Sequence, residues 1–178
     1  MLRRLALALA LACTLAFVTT PATGCRSRAE APSAEEVAKA RAVLAWPESV
    51  EAAEAARASS ASYTNRDIRI LYVARVAEIA AENEGWKAEG LGPAERARKA
   101  FGVRHEARKI ARALMRDQAE VEALRVRDRE QYGDPDGPTF ESLLEKNRGK
   151  GLAEDEAYEA IIESAQRTNA AVNESMGL

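Results

Sequence analysis

From Ser33 onward the chain is built of short apolar stripes at spacings of three and four, each backed by charged positions, and its segments are divided by proline, glycine and serine clusters. Such spacing predicts amphipathic helices. Ser33 with Glu36 forms a capping box ahead of an alanine-rich segment that runs to about Ser59, and Pro47 after Trp46 divides this segment into two short helices. A second box, Thr64 with Asp67, precedes IRILYVARVAEIAAENEG, where Ile68, Leu71, Tyr72, Val76 and Ile79 share one broad face. This is the expected central buried helix. Pro93 is suited to open the next one, a long helix from Ala94 to about Gln131 with Ala100, Val103, Ala107, Ile110, Leu114, Val121 and Leu124 in its stripe and Asp117 interrupting it. YGDPDGP stops that helix; TFESLLEKNRGKG forms a short helix and LAEDEAYEAIIESAQRTNAAVNESM the last, with Tyr158, Ile162, Ala165, Val172 and Met176 facing inward. No segment alternates with period two, and no internal repeat is present. The expectation is an all-α bundle of five to six helices with one long central helix, occupying residues 34–178.

The first 24 residues follow a different pattern. Arg3 and Arg4 precede a charge-free, predominantly apolar run from Leu5 to Val18, too short to span a bilayer, and small residues follow it. That order predicts an export signal over residues 1–24. Cleavage after Ala22, with Thr20 and Ala22 as the small residues read by a general signal peptidase, and cleavage before Cys25 both fit. ATGC, Ala22 to Cys25, resembles the lipobox of bacterial lipoproteins, although Ala22 stands where leucine is usual and a TTP spacer separates the box from the apolar run. The resemblance implies that Cys25 carries a diacylglyceryl group and an amide-linked acyl chain such as palmitate. More than one chain gives stable membrane attachment. Residues 25–33 are then a lipidated tether. Arg26 follows the cysteine in place of the aspartate that retains many such proteins at the inner membrane, so the expected location is exported, periplasm-facing and at the outer rather than the inner membrane. Cys13 is a poorer cleavage site because the apolar run continues past it.

Loss of residues 1–24 leaves 154 residues with one cysteine and a net charge of −4. An internal disulfide is thereby excluded, and a leftover cysteine in an exported chain points to a thiol already committed elsewhere. A chain of this size buries ~68–70% of its unfolded surface as one domain. The mild acidity argues against wholesale nucleic-acid binding.

Four places present candidate chemistry. Arg104, Arg108, Arg112 and Arg116, with Lys109 and His105 beside them, form a drifting basic stripe that suits anionic lipid headgroups or cell-wall polymer; the competing reading pairs these cations with acids on neighbouring helices. Asp134, Asp136, Gly137 and Glu141 bring oxygen ligands together, but the spacing departs from a calcium loop and suits a turn between helices. His105 is the only histidine, so a histidine-based metal cluster is excluded, no cofactor is implied, and the residue itself reads as a surface side chain. The amide-rich QRTNAAVN places Asn169 near the core, where it either sets helix register or lines a small cleft.

LGPAERARKAF, Leu91 to Phe101, is similar to the LTxxQ signature of helical periplasmic stress chaperones of the Spy and CpxP type in its leucine and its helix entry. Gly92 replaces the threonine and Glu95 the glutamine, so no functional residue carries over. The resulting expectation is a lipid-anchored envelope protein that binds or scaffolds without catalysis. A chaperone or stress sensor is the alternative. A cell-wall enzyme is the third reading, and it requires a carboxylate of raised pKa near Glu156 or Glu159.

Overall fold

The computed structural model describes residues 31–59 and 62–168, which form seven α-helices and no strand. The export signal, Cys25 and Asn169 lie outside the described residues. α1 (Ala34–Val43) opens with the Ser33/Glu36 capping box, and Leu44 ends it in extended conformation. After Pro47 the chain restarts as α2 (Val50–Ala58), capped by Ser49. α3 (Asn65–Ala88) carries the Thr64/Asp67 box and buries Ile68, Leu71, Tyr72, Val76 and Ile79, together with Ile70 and Val73. It ends in a Schellman arrangement. Gly90, at φ 83°, places its N–H on the Lys87 carbonyl, and Leu91 donates to the Trp86 carbonyl.

The expected single helix from 94 to 131 is two helices, α4 (Pro93–Leu114) and α5 (Gln118–Tyr132). Met115 turns to extended backbone, and the Asp117 carboxylate caps α5 by accepting from the Ala119 and Glu120 N–H groups at 3.0 and 3.1 Å. The carbonyls freed by the break find partners: Tyr63 Oη donates to Leu114 O at 2.9 Å and Gln118 Nε2 to Met115 O at 2.6 Å. Thus the interruption at Asp117 is a corner, after which α5 takes a new direction and is linked to α4 through the Arg112–Asp128 pair. α6 (Phe140–Gly149) and α7 (Glu154–Gln166) follow, joined by a tight turn through Gly151 at φ 82°. α7 stops well before the expected end of the last helix; Val172 and Met176, expected on its inner face, lie outside the described residues.

α4 is the centre of the bundle and packs against α2, α3 and α7. Ala97, Ala100, Ala107 and Ala111 are fully or almost fully buried along it, so the neighbouring helices approach closely. Cross-helix contacts fix the directions. Glu36 meets Arg66 and Arg41 meets Glu78, so α1 runs parallel to α3; Asn83 meets Arg96 and Tyr63 meets Leu114, so α3 runs antiparallel to α4. Arg96 meets Glu159 and Arg104 meets Ala165, so α7 runs parallel to α4. Consequently the start of α1, the start of α3 and the α4–α5 corner share one end of the bundle. No helix among the described residues is long and apolar enough to cross a membrane.

Candidate functional site

The basic stripe on α4 is not one surface. Its residues keep a helical spacing of four, but 3.6 residues per turn carries successive members around the helix, and this drift turns two of them inward. Arg104 is buried under the end of α7. Its Nη1 donates to the carbonyls of Ala165 at 3.1 Å and Arg167 at 2.7 Å, and the guanidinium lies 5.3 Å from the centre of the Tyr72 ring. Burial favours loss of its proton, so its pKa is lowered, while the carbonyls at the negative end of α7 hold the cation in place. Arg112 is 3% exposed. It donates from Nη2 to Asp128 Oδ2 at 2.7 Å and from Nη1 to the Pro135 carbonyl at 3.0 Å. Arg108 is half-buried and donates to the Asp136 carbonyl at 2.9 Å. Arg116 is exposed at the α4–α5 corner, over the Tyr63 ring, and Lys109 pairs with Glu106 at 3.0 Å.

The drifting stripe is therefore divided, and for Arg112 and Lys109 the competing reading, pairing with acids, describes the arrangement. Arg104 and Arg112 tie the fold together, whereas Lys109 and Arg116 remain toward solvent with Arg108 between these situations. Asp128, which also accepts from Arg127 at 3.0 and 3.2 Å, is the acid that compensates Arg112. Burial alone would raise its pKa; the hydrogen bonds and charges of Arg112 and Arg127 outweigh that and lower it.

The DPDGP segment supplies carbonyl acceptors to Arg108 and Arg112. Asp134 Oδ1 accepts from the Asp136 N–H at 2.7 Å, closing an Asx turn, and the carbonyls of Pro135 and Asp136 face guanidinium groups. Glu141 is exposed and 3.8 Å from Arg98. No group of three metal-ligating side chains occurs among the described residues. Gly137 has φ 102°, and a Cβ there would stand 1.8 Å from Arg108 Nη1. Gly137→Ala is accordingly expected to destabilise the domain by ~1–3 kcal/mol, since it combines strained backbone with loss of the Arg108 bond. Gly102→Ala, in a helix and with open space around it, should be neutral or raise stability by up to ~1 kcal/mol. Parallel thermal melts of the two variants check both signs.

His105 is half-buried rather than at the surface. Its ring stacks on Phe101 at 5.5 Å, and burial together with Arg108 and Lys109 lowers its pKa. Glu156 closes a capping box on the Ala153 N–H, and Glu159 pairs with the buried Arg96, so both carboxylates named for wall chemistry have structural partners.

Two open features border α4. A groove of about 500 Å³ lies beside Trp46, Val103 and Ile110. On the other side of α2, a smaller cleft of about 200 Å³ is lined by Arg57, Lys109, Arg112 and Arg125, with Glu54 and Asp136 as its acids. Arg57 and Arg125 were not singled out by sequence. No local spacing links them to α4, and only the corner at Asp117 brings Arg125 to the same cleft. Among the described residues the large exposed apolar side chains are Val43, Val126 and Tyr132, scattered over α1 and α5.

No family model, curated protein or solved structure matches this chain.

Proposed function

We propose that this chain is a lipid-anchored, periplasm-facing envelope protein that acts by binding or scaffolding, and that it holds anionic groups through the half-exposed Lys109 and the exposed Arg116. The anchor in this reading is Cys25, with the outer membrane as destination because Arg26 follows it. The single observation that carries the reading is positional. Ser33, where the tether enters, belongs to the same end of the bundle as the α4–α5 corner with Arg116, through Glu36–Arg66 and Tyr63–Leu114. A tether of residues 25–33 reaches at most about 30 Å when extended, so in this reading the corner can come within the ~8 Å over which exposed charges act at physiological ionic strength.

The test has two parts. Cys25→Ser should move the protein from the membrane fraction to the soluble periplasm, and intact mass should show acylation of the unsubstituted protein; an unmodified chain beginning at Thr23 would refute the anchor. The Cys25→Ser protein should then sediment with anionic vesicles at low salt and release at high salt. Adding Lys109→Gln and Arg116→Gln should weaken that binding without changing helix content, because glutamine is a comparable helix former. Arg104 and Arg112 are left intact, since their removal would disturb the fold and confuse the outcome. Absence of salt-sensitive sedimentation refutes the anionic-surface part.

A further inference from the structure

We infer that the outer face of α5 docks on the same face of a second copy of this chain, with the two helices antiparallel about a two-fold axis. The inference rests neither on the anchor nor on the anionic-surface reading.

Among the described helices α5 is the one most lightly packed on its neighbours. Val121, Leu124 and Asp128 mark its inner side, and at about 100° per residue the direction opposite them falls on Ala119, Ala123, Val126 and Glu130. All four are exposed. Val126, at 40%, is among the few large apolar side chains left to solvent in the described residues, and the alanines beside it let a second helix approach closely.

The charges beside this face say what covers it. Glu122 and Arg129 stand two turns apart along one flank, both exposed and neither in an ion pair with another described residue. In an antiparallel pair about a two-fold axis each flank meets its own copy reversed. Glu122 of each chain then faces Arg129 of the other. A register that sets Ala123 against the second copy's Val126 leaves those two charges offset by about 3 Å along the axis, within the reach of an arginine. Glu120 and Arg127 repeat the order on the other flank, where Arg127 keeps its bond to Asp128. Parallel pairing would instead set Glu122 against Glu122 and Arg129 against Arg129, which repels. A uniformly acidic or basic partner would be repelled at one end of each flank. The surface that satisfies both ends carries the same charges in reverse order, and a second copy supplies it.

A pair of 15-residue helices is small beside the ~1,200–2,000 Å² of stable interfaces, so the dimer is weak and reversible. Its exposed charge pairs make it sensitive to salt.

The test is sedimentation velocity of the Cys25→Ser protein over a wide concentration range, at low and high salt. A monomer–dimer equilibrium that weakens in high salt is expected. Glu122→Arg and Arg129→Glu should each weaken self-association about tenfold, because one substitution reverses both symmetric contacts. An equimolar mixture of these two variants should associate about as well as the unsubstituted protein, since every contact is then again between opposite charges. Val126→Asp should abolish the dimer, and Arg41→Gln, on the α1–α3 side, should leave it unchanged. All these positions are exposed, so circular dichroism should show unchanged helix content in each variant. The inference is overturned if the protein is monomeric at every concentration, if its association ignores the α5 substitutions, or if the mixture associates no better than either variant alone.

Discussion

Asp128→Ala is expected to destabilise the domain by about 3–5 kcal/mol, because it leaves the Arg112 cation buried without its counter-charge. Arg112 would keep only the Pro135 carbonyl. Replacing both partners, as Arg112→Met with Asp128→Leu, should recover much of the loss, since a well-packed apolar pair avoids the desolvation of two charges. Recovery should stay incomplete because the Pro135 carbonyl then loses its donor. Equilibrium denaturation of the single and double variants measures this directly; a single variant as stable as the unsubstituted protein would show that Asp128 does not compensate a buried charge. The same pair gives the domain an acid limit. The folded pKa of Asp128 is lowered relative to the unfolded chain, so its stabilisation is fully present above the unfolded value of ~3.9 and is lost as pH falls through the folded value. The stability difference between the unsubstituted protein and Asp128→Asn should therefore narrow below about pH 4.

Truncations in the apolar interior should have a comparable effect by a different cause. Leu71→Ala on α3 and Ile162→Ala on α7 are each expected to cost ~2–5 kcal/mol, because both side chains are 2% exposed and their loss leaves a cavity. Their effect should be insensitive to salt and nearly constant from neutral pH down to about pH 4, unlike that of Asp128. Thermal melts at two salt concentrations make the comparison. An unchanged midpoint for either variant would contradict the facing of that helix.

The apolar seams were legible because they are local. Ile68, Leu71, Tyr72, Val76 and Ile79 declare one helical face by spacing alone, and both capping boxes announce their helices at the residue. The corner at Met115 was less visible, for the apolar spacing resumes beyond it and periodicity does not register a change of direction. Asp117 carried the available signal, as an acid suited to a helix cap rather than a mere gap in a stripe.

The spacing of four left the basic stripe open between surface and internal pairing, and burial divides its members. Arg104 sits in the spacing of Ala97, Ala100, Ala107 and Ala111, and Asp128 follows Val121 and Leu124 at seven and four, so each charged residue stands on an apolar face. Pairing with acids was the competing reading of the stripe, and the apolar spacing around Asp128 was the signal that could have named the acid. Arg125 had no equivalent clue, because its relation to Arg112 exists only once the chain turns at Asp117.

The two halves of the molecule differ in what makes them cohere. α3, α4 and α7 are joined through alanine seams and interlocked aliphatic side chains, whereas α5 buries only Val121 and Leu124 among its apolar residues and is otherwise fastened by guanidinium contacts. Cohesion of the first kind is indifferent to ions, while the second depends on protonation and on competing anions. α5 is thus the element whose attachment answers to pH and salt, while the packing of the trunk does not.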